Sequence, residues 1–220
     1  MAVQLISMNL LTLNIVVFLF SALVAFFISF FSYKAFRLTK EKKHLYFSIG
    51  FILLSLGLIM HSVGNLSIYL GIKRCLMNTL CSLSQRTLSI AYLSHILLTF
   101  LAYVTLILIY FKVKEKAIAV FAFVQAILLA TLTYDSDMFN VVGFIFTLFI
   151  VYGAYRNYKS NKNINTKLAL IAFSLISISH PLFISNNVLS AYVALFLGYL
   201  SFLFIFIKRK PRNTHESKKK

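Results

Sequence analysis

Three histidines fall inside apolar stretches of the sequence: His61 in "LGLIMHSVG", His95 in "AYLSHILLT" and His180 in "SISHPLF". Imidazole can carry a proton near neutrality. It also ligates zinc, copper, iron and haem iron. Such a set admits three chemistries: a bound metal or haem, a site that responds to a ligand or a proton, or separate hydrogen bonds to Ser, Thr or Tyr on neighbouring helices. No two of the three stand three or four residues apart, and no Cys is near them. Metal sites on helices usually show such pairing, so the spacing favours the third chemistry, with no metal and no cofactor expected.

The faces around them are informative. Gly50, Leu54, Gly57, His61 and Gly64 form one stripe at heptad spacing. Glycines allow close helix approach, so the stripe is expected to meet another helix and not lipid. Ser177 and Ser174 precede His180 by three and six residues, and Ala91, Tyr92, Thr99 and Ala102 flank His95. Each ring therefore sits on a small or polar face that is expected to point into a bundle.

Catalytic patterns are missing. The chain has no His-Glu-x-x-His and no Gly-x-Ser-x-Gly elbow. No Asp, Glu, Lys or Arg lies in the middle of an apolar stretch, so a carboxylate relay lacks its parts. The expectation is a protein without enzymatic activity.

The elements that must position these residues follow from composition. The 220 residues are 60% hydrophobic and 12% charged, too apolar for a soluble domain of this size. Continuous apolar runs of about 20 residues recur, the length of a membrane-crossing helix. The reading is an all-α polytopic membrane helix bundle of seven transmembrane helices. The spans are roughly 10–33, 45–70, 87–111, 117–133, 138–155, 167–184 and 188–207, the fourth being the shortest. The first is not expected to be a cleaved signal peptide, because no Lys or Arg precedes it, its apolar run is long and the basic cluster follows it.

The net charge of +17 is distributed as a topology signal, and no nucleic-acid partner is expected. Nineteen of the 22 Lys and Arg residues fall after spans one, three, five and seven, and only Lys73, Arg74 and Arg86 fall on the other side. The positive-inside rule then predicts a multi-pass protein of the cell membrane, N-terminus outside and C-terminus cytoplasmic. Besides the lipid bilayer, the expected partners are anionic lipid or a cytoplasmic protein at the basic face, including the tail 208–220. Cys75 and Cys81, the only cysteines, would lie outside, where disulfides persist. A bridge between them is expected to fix the connection between spans two and three. The alternative is two separate thiols on a short amphipathic surface helix.

The chain also repeats itself. Residues 33–61 align without a gap on residues 152–180, with ten of 29 positions identical, His61 on His180 among them. Tyr33, Ala35 and Arg37 fall on Tyr152, Ala154 and Arg156. Tyr33, Arg37, Tyr152 and Arg156 are expected to be interface anchors at the cytoplasmic ends of spans one and five, Tyr at the headgroup level and Arg on phosphate. Both spans run in the same direction, so the expected architecture is a 3+1+3 parallel internal repeat: repeat one about 10–111, linker helix about 117–133, repeat two about 138–207. Parallel repeats occur in transporters such as SWEETs. This chain departs from that group in lacking its Pro-Gln signature, and from microbial rhodopsins in having no lysine in span seven.

The stretch "AFRLTKEKKHLYFSIGFILLSLG" resembles uncharacterised archaeal seven-helix membrane proteins. It is also similar to the seven-helix sensor segments that precede some histidine kinases. The 220 residues hold no kinase domain. The bundle with its inner polar patch and its basic cytoplasmic face makes a sensor or interaction protein without catalysis the first expectation, its output passing through a partner. Two other functions stay open: a small-solute carrier of 3+1+3 architecture with His61 and His180 at the repeat interface, and a metal or haem protein using His61, His95 and His180.

Overall fold

Lipid offers the backbone only helices or closed barrels, continuous apolar runs select helices, and the described apolar segments take that form. The computed structural model describes the backbone of residues 2–75, 81–133 and 135–207, and side chains within 9–70, 88–133 and 135–205. Seven helices and no strands occur among these residues: α1 (Ala2–Thr39), α2 (Lys42–Cys75), α3 (Cys81–Tyr110), α4 (Lys116–Leu132), α5 (Ser136–Asn161), α6 (Ile164–Ile184) and α7 (Val188–Ile207). The predicted bridge between Cys75 and Cys81, the tail 208–220 and the side chains of Lys73, Arg74 and Arg86 lie outside the described residues.

All but α4 are long and apolar enough to cross a membrane, which makes the chain a multi-pass integral membrane protein. The expected seven full crossings become six by length. The exception, α4, has 17 residues and measures about 26 Å, against roughly 30 Å of hydrocarbon. Its neighbours still require it to traverse the bundle. The ring of His95 on α3 lies 5.2 Å from Phe139 near the start of α5, and Tyr110 at the end of α3 packs on Gly153 late in α5. Thus α3 and α5 run parallel, and the chain between them has to return. Ala126 and Ala130 are the buried residues of α4, so small side chains make its contact with α3, while Phe121 and Leu132 are exposed.

The six long helices close a ring in the order α1, α2, α3, α5, α6, α7 and back to α1, with α4 outside it on α3. Neighbours within each half of the ring are antiparallel; the two seams between the halves, α3 with α5 and α7 with α1, are parallel. Below, the upper end is the one at which α1, α3, α5 and α7 begin.

Within the first half, Ser29 and Ser48 each donate to the other's backbone carbonyl, at 2.8 and 2.9 Å, and Ser55 donates to the carbonyl of Ala22. Such bonds satisfy hydroxyls that lipid cannot. The glycine stripe of α2 meets α3 as its spacing predicts: Gly50 faces Leu106, Gly57 faces Thr99 and Gly64 faces Ala91. The lower half of the ring is filled by aromatic side chains. Phe202 lies 5.5 Å from Phe51 and 4.9 Å from Phe173, ring centre to ring centre.

At the lower end α1, α3 and α5 are followed by Lys40, Lys112 and Lys162, each in the left-handed conformation. Glycine or asparagine usually takes this position. Lysine adds a positive charge at the negative end of the helix dipole. At the α1–α2 turn Lys43 pairs with Glu41 at 2.6 Å and holds its carboxyl below the usual range. Tyr33, Arg37, Tyr152 and Arg156 are exposed at this same end, and a shallow depression there is lined by Tyr152, Tyr155, Arg156, Lys159 and Ser160.

Candidate functional site

All three membrane histidines line one cavity of ≈ 240 Å³ in the upper half of the ring. That volume is just under the range of ordinary small-molecule sites, roughly 300–1,000 Å³. Side chains reach it from both halves: Asn14, Phe18, His61, His95 and Tyr103 from the first, and Phe139, Asn140, His180 and Tyr192 from the second. Phe51, in the aromatic fill, is ten residues below His61 on α2, about 15 Å along the helix, so the cavity has a floor.

Each histidine is held differently. The ring of His61 lies between Phe18, stacked on it at 4.0 Å, and His95 at 4.6 Å. Its Nε2 is buried with no hydrogen-bond partner among the described residues. For His95, Nδ1 is 2.9 Å from the backbone carbonyl of Gly57 and 3.4 Å from the Thr99 hydroxyl. A carbonyl only accepts, so Nδ1 carries the hydrogen, and the neutral ring has its lone pair on Nε2. The helix carbonyl is reachable because position 57 has no side chain: a Cβ there would already stand 3.3 Å from the His95 carbonyl oxygen.

His180 is bonded on both sides. The amide nitrogen of Asn140 donates to the Ser136 carbonyl at 2.9 Å, which turns its oxygen toward His180. Nδ1 of His180 then donates to that oxygen at 3.0 Å, and the Tyr103 hydroxyl donates to Nε2 at 3.4 Å. Gly143 makes room for the ring on the α5 backbone. Pro181 follows in the last turn of α6 and removes the N–H that would bond the Ser177 carbonyl.

This network clasps the α3–α5 seam, and a second clasp closes the other seam. Asn65 on α2 donates to Asn14 on α1 at 2.9 Å, and Asn14 donates to the Tyr192 hydroxyl on α7. Each clasp joins a tyrosine, an asparagine and one further polar side chain across three helices.

The structure thus brings His61, His95 and His180 to one cavity. The hydrogen bonds expected from Ser, Thr or Tyr on a neighbouring helix are met for His180 by Tyr103, whereas His95 bonds chiefly to a backbone carbonyl and His61 to nothing described. No group of three His, Cys, Asp or Glu among the described residues is placed to hold a metal ion. Sequence reading passed over Asn14, Asn65, Asn140, Tyr103 and Tyr192. A signal was present: Asn14 and Asn140 are lone amides in apolar runs, and buried amides in membranes need partners on other helices.

No protein family, curated protein or solved structure matches the chain.

Proposed function

We propose that the protein binds a small solute in the membrane without converting it, and that the cavity is the solute site of a carrier built as two three-helix repeats. The observation that carries this reading is the cavity's position: it lies between the halves and is lined by both. The ring order supports the repeat. Laying α1, α2 and α3 on α5, α6 and α7 turns the α3–α5 seam into the α7–α1 seam, as a twofold axis along the membrane normal requires. The match of residues 33–61 with 152–180 supports it independently. Packing within each half is more extensive than across the seams. Two firmly packed bodies joined along thinner seams are the parts that rock against each other in alternating access.

A sensor using the same site is the second reading, in keeping with the resemblance to sensor segments. It is favoured by the exposed Tyr33, Arg37, Tyr152 and Arg156 at the basic lower end, a surface for anionic lipid or a cytoplasmic partner. In both readings the lower end is cytoplasmic and the cavity lies toward the outside.

Thiol labelling separates the two. Leu58 is buried in the cavity wall. A Leu58→Cys variant, with Cys75 and Cys81 replaced by Ser, is labelled by an uncharged membrane-impermeant reagent, such as a sugar-linked methanethiosulfonate, from either side of the membrane if the protein is a carrier. Labelling from the outside alone supports the sensor. Protection from both sides rules out the cavity as a solute site.

A further inference from the structure

The chemistry of the cavity wall narrows the solute, given the reading of the cavity as a solute site. Among the described residues, no Asp, Glu, Lys or Arg lines it. An ion would enter a membrane-embedded space with no counter-charge, which is unfavourable. The walls are aromatic instead, with Phe18, Phe139, Phe183, Tyr103, Tyr192 and Tyr199 contributing rings. Planar ligands pack well on such walls.

The three imidazoles are not equivalent toward a ligand. His180 has both nitrogens engaged, by Asn140 and Tyr103. His95 is fixed by Gly57 so that Nε2 accepts. His61, in ring contact with His95, has a buried Nε2 without a partner among the described residues. A buried polar atom without a partner is rare enough in native structures to require an explanation.

We propose that the cavity takes an uncharged ring compound bearing a hydroxyl, and that the His61–His95 pair reads the hydroxyl while His180 holds the wall. The hydroxyl donates to Nε2 of His95, and its oxygen accepts from Nε2 of His61. Phe18, stacked on the face of His61, leaves the in-plane Nε2 as the edge of that ring available for a hydrogen bond. His180, although it aligns with His61 in the repeat, is a positioning residue.

The test is equilibrium dialysis of labelled probes against the full chain in nanodiscs, with empty nanodiscs subtracted for partitioning. The probes are phenol, its methyl ether anisole, benzoate and benzylammonium. Phenol is expected to bind at least about tenfold tighter than anisole, since a site built to hydrogen-bond a hydroxyl rejects the analogue without one. The two ions are expected at background. In a His95→Phe variant the phenol-to-anisole ratio is expected to fall to near one; if that variant does not fold, the wild-type panel decides alone. Anisole binding as well as phenol, an ion binding best, or no probe above background each overturns the assignment of solute class. Labelling of Leu58→Cys is independent of probe identity, so it can still support a carrier after this assignment has failed.

Discussion

Gly143 and His180 fit together so closely that a Cβ added at Gly143 would stand 2.7 Å from Cε1 of the ring and 3.1 Å from both of its nitrogens. Gly143→Ala therefore has to displace the imidazole and break its bonds to Asn140 and Tyr103. Alanine gains about 1 kcal/mol over glycine in a helix interior. The steric cost, about 1–3 kcal/mol, together with the broken hydrogen bonds, outweighs that gain. Reversible unfolding in detergent should show net destabilisation, relieved in Gly143→Ala combined with His180→Ala. Gly64→Ala is the control, because its Cβ would meet Ala91 at an ordinary 3.4 Å and should be neutral or stabilising. Equal stability of Gly143→Ala and the parent would mean that the ring does not lie on α5.

The contact between His61 and His95, at 4.6 Å, predicts coupling. A double-mutant cycle with alanine at both positions should deviate from additivity by at least about 0.5 kcal/mol, as touching residues do. The cycle for His61 and His180 should be additive within about 0.5 kcal/mol, because His180 is bonded to Asn140 and Tyr103. Strong coupling in the second cycle and none in the first would reverse the roles given to these residues.

Each clasp should contribute measurably. Asn14→Ala and Asn140→Ala are each expected to lower stability by roughly 0.6–1.7 kcal/mol, the scale of interhelical hydrogen bonds in membranes. The seams they close are separate, so the two effects should add. In the Leu58→Cys background, loss of a clasp is expected to speed labelling from the outside. Unchanged labelling rates in both variants would show that the clasps do not guard the cavity.

Orientation is checked by fusion. A reporter joined after Lys220 should be active only in the cytoplasm, as the placement of the described basic residues at the lower end leads one to expect. Activity on the outer side would invert the protein and place the cavity toward the cytoplasm.

The sequence alone determined what periodicity and composition carry. The helices, the gathering of basic residues at one end and the face of α2 that meets α3 were all legible, because each is written in neighbouring residues. Helix ends were less so. The apolar run of α1 stops near residue 33, whereas its hydrogen bonds continue to Thr39, since backbone bonding does not end where lipid does.

Only the tertiary structure decided which helices adjoin. That α3 lies beside α5, and α1 beside α7, rests on contacts between distant residues such as Phe100 with Phe146 and Phe18 with Tyr192. Lipid tails are as apolar as leucine, so hydrophobicity favours no one partner, and scattered small and polar side chains make the choice. The fate of His95 was hidden for the same reason. Its partner is a carbonyl made accessible by a glycine 38 positions away, and no pattern of side chains announces a backbone acceptor.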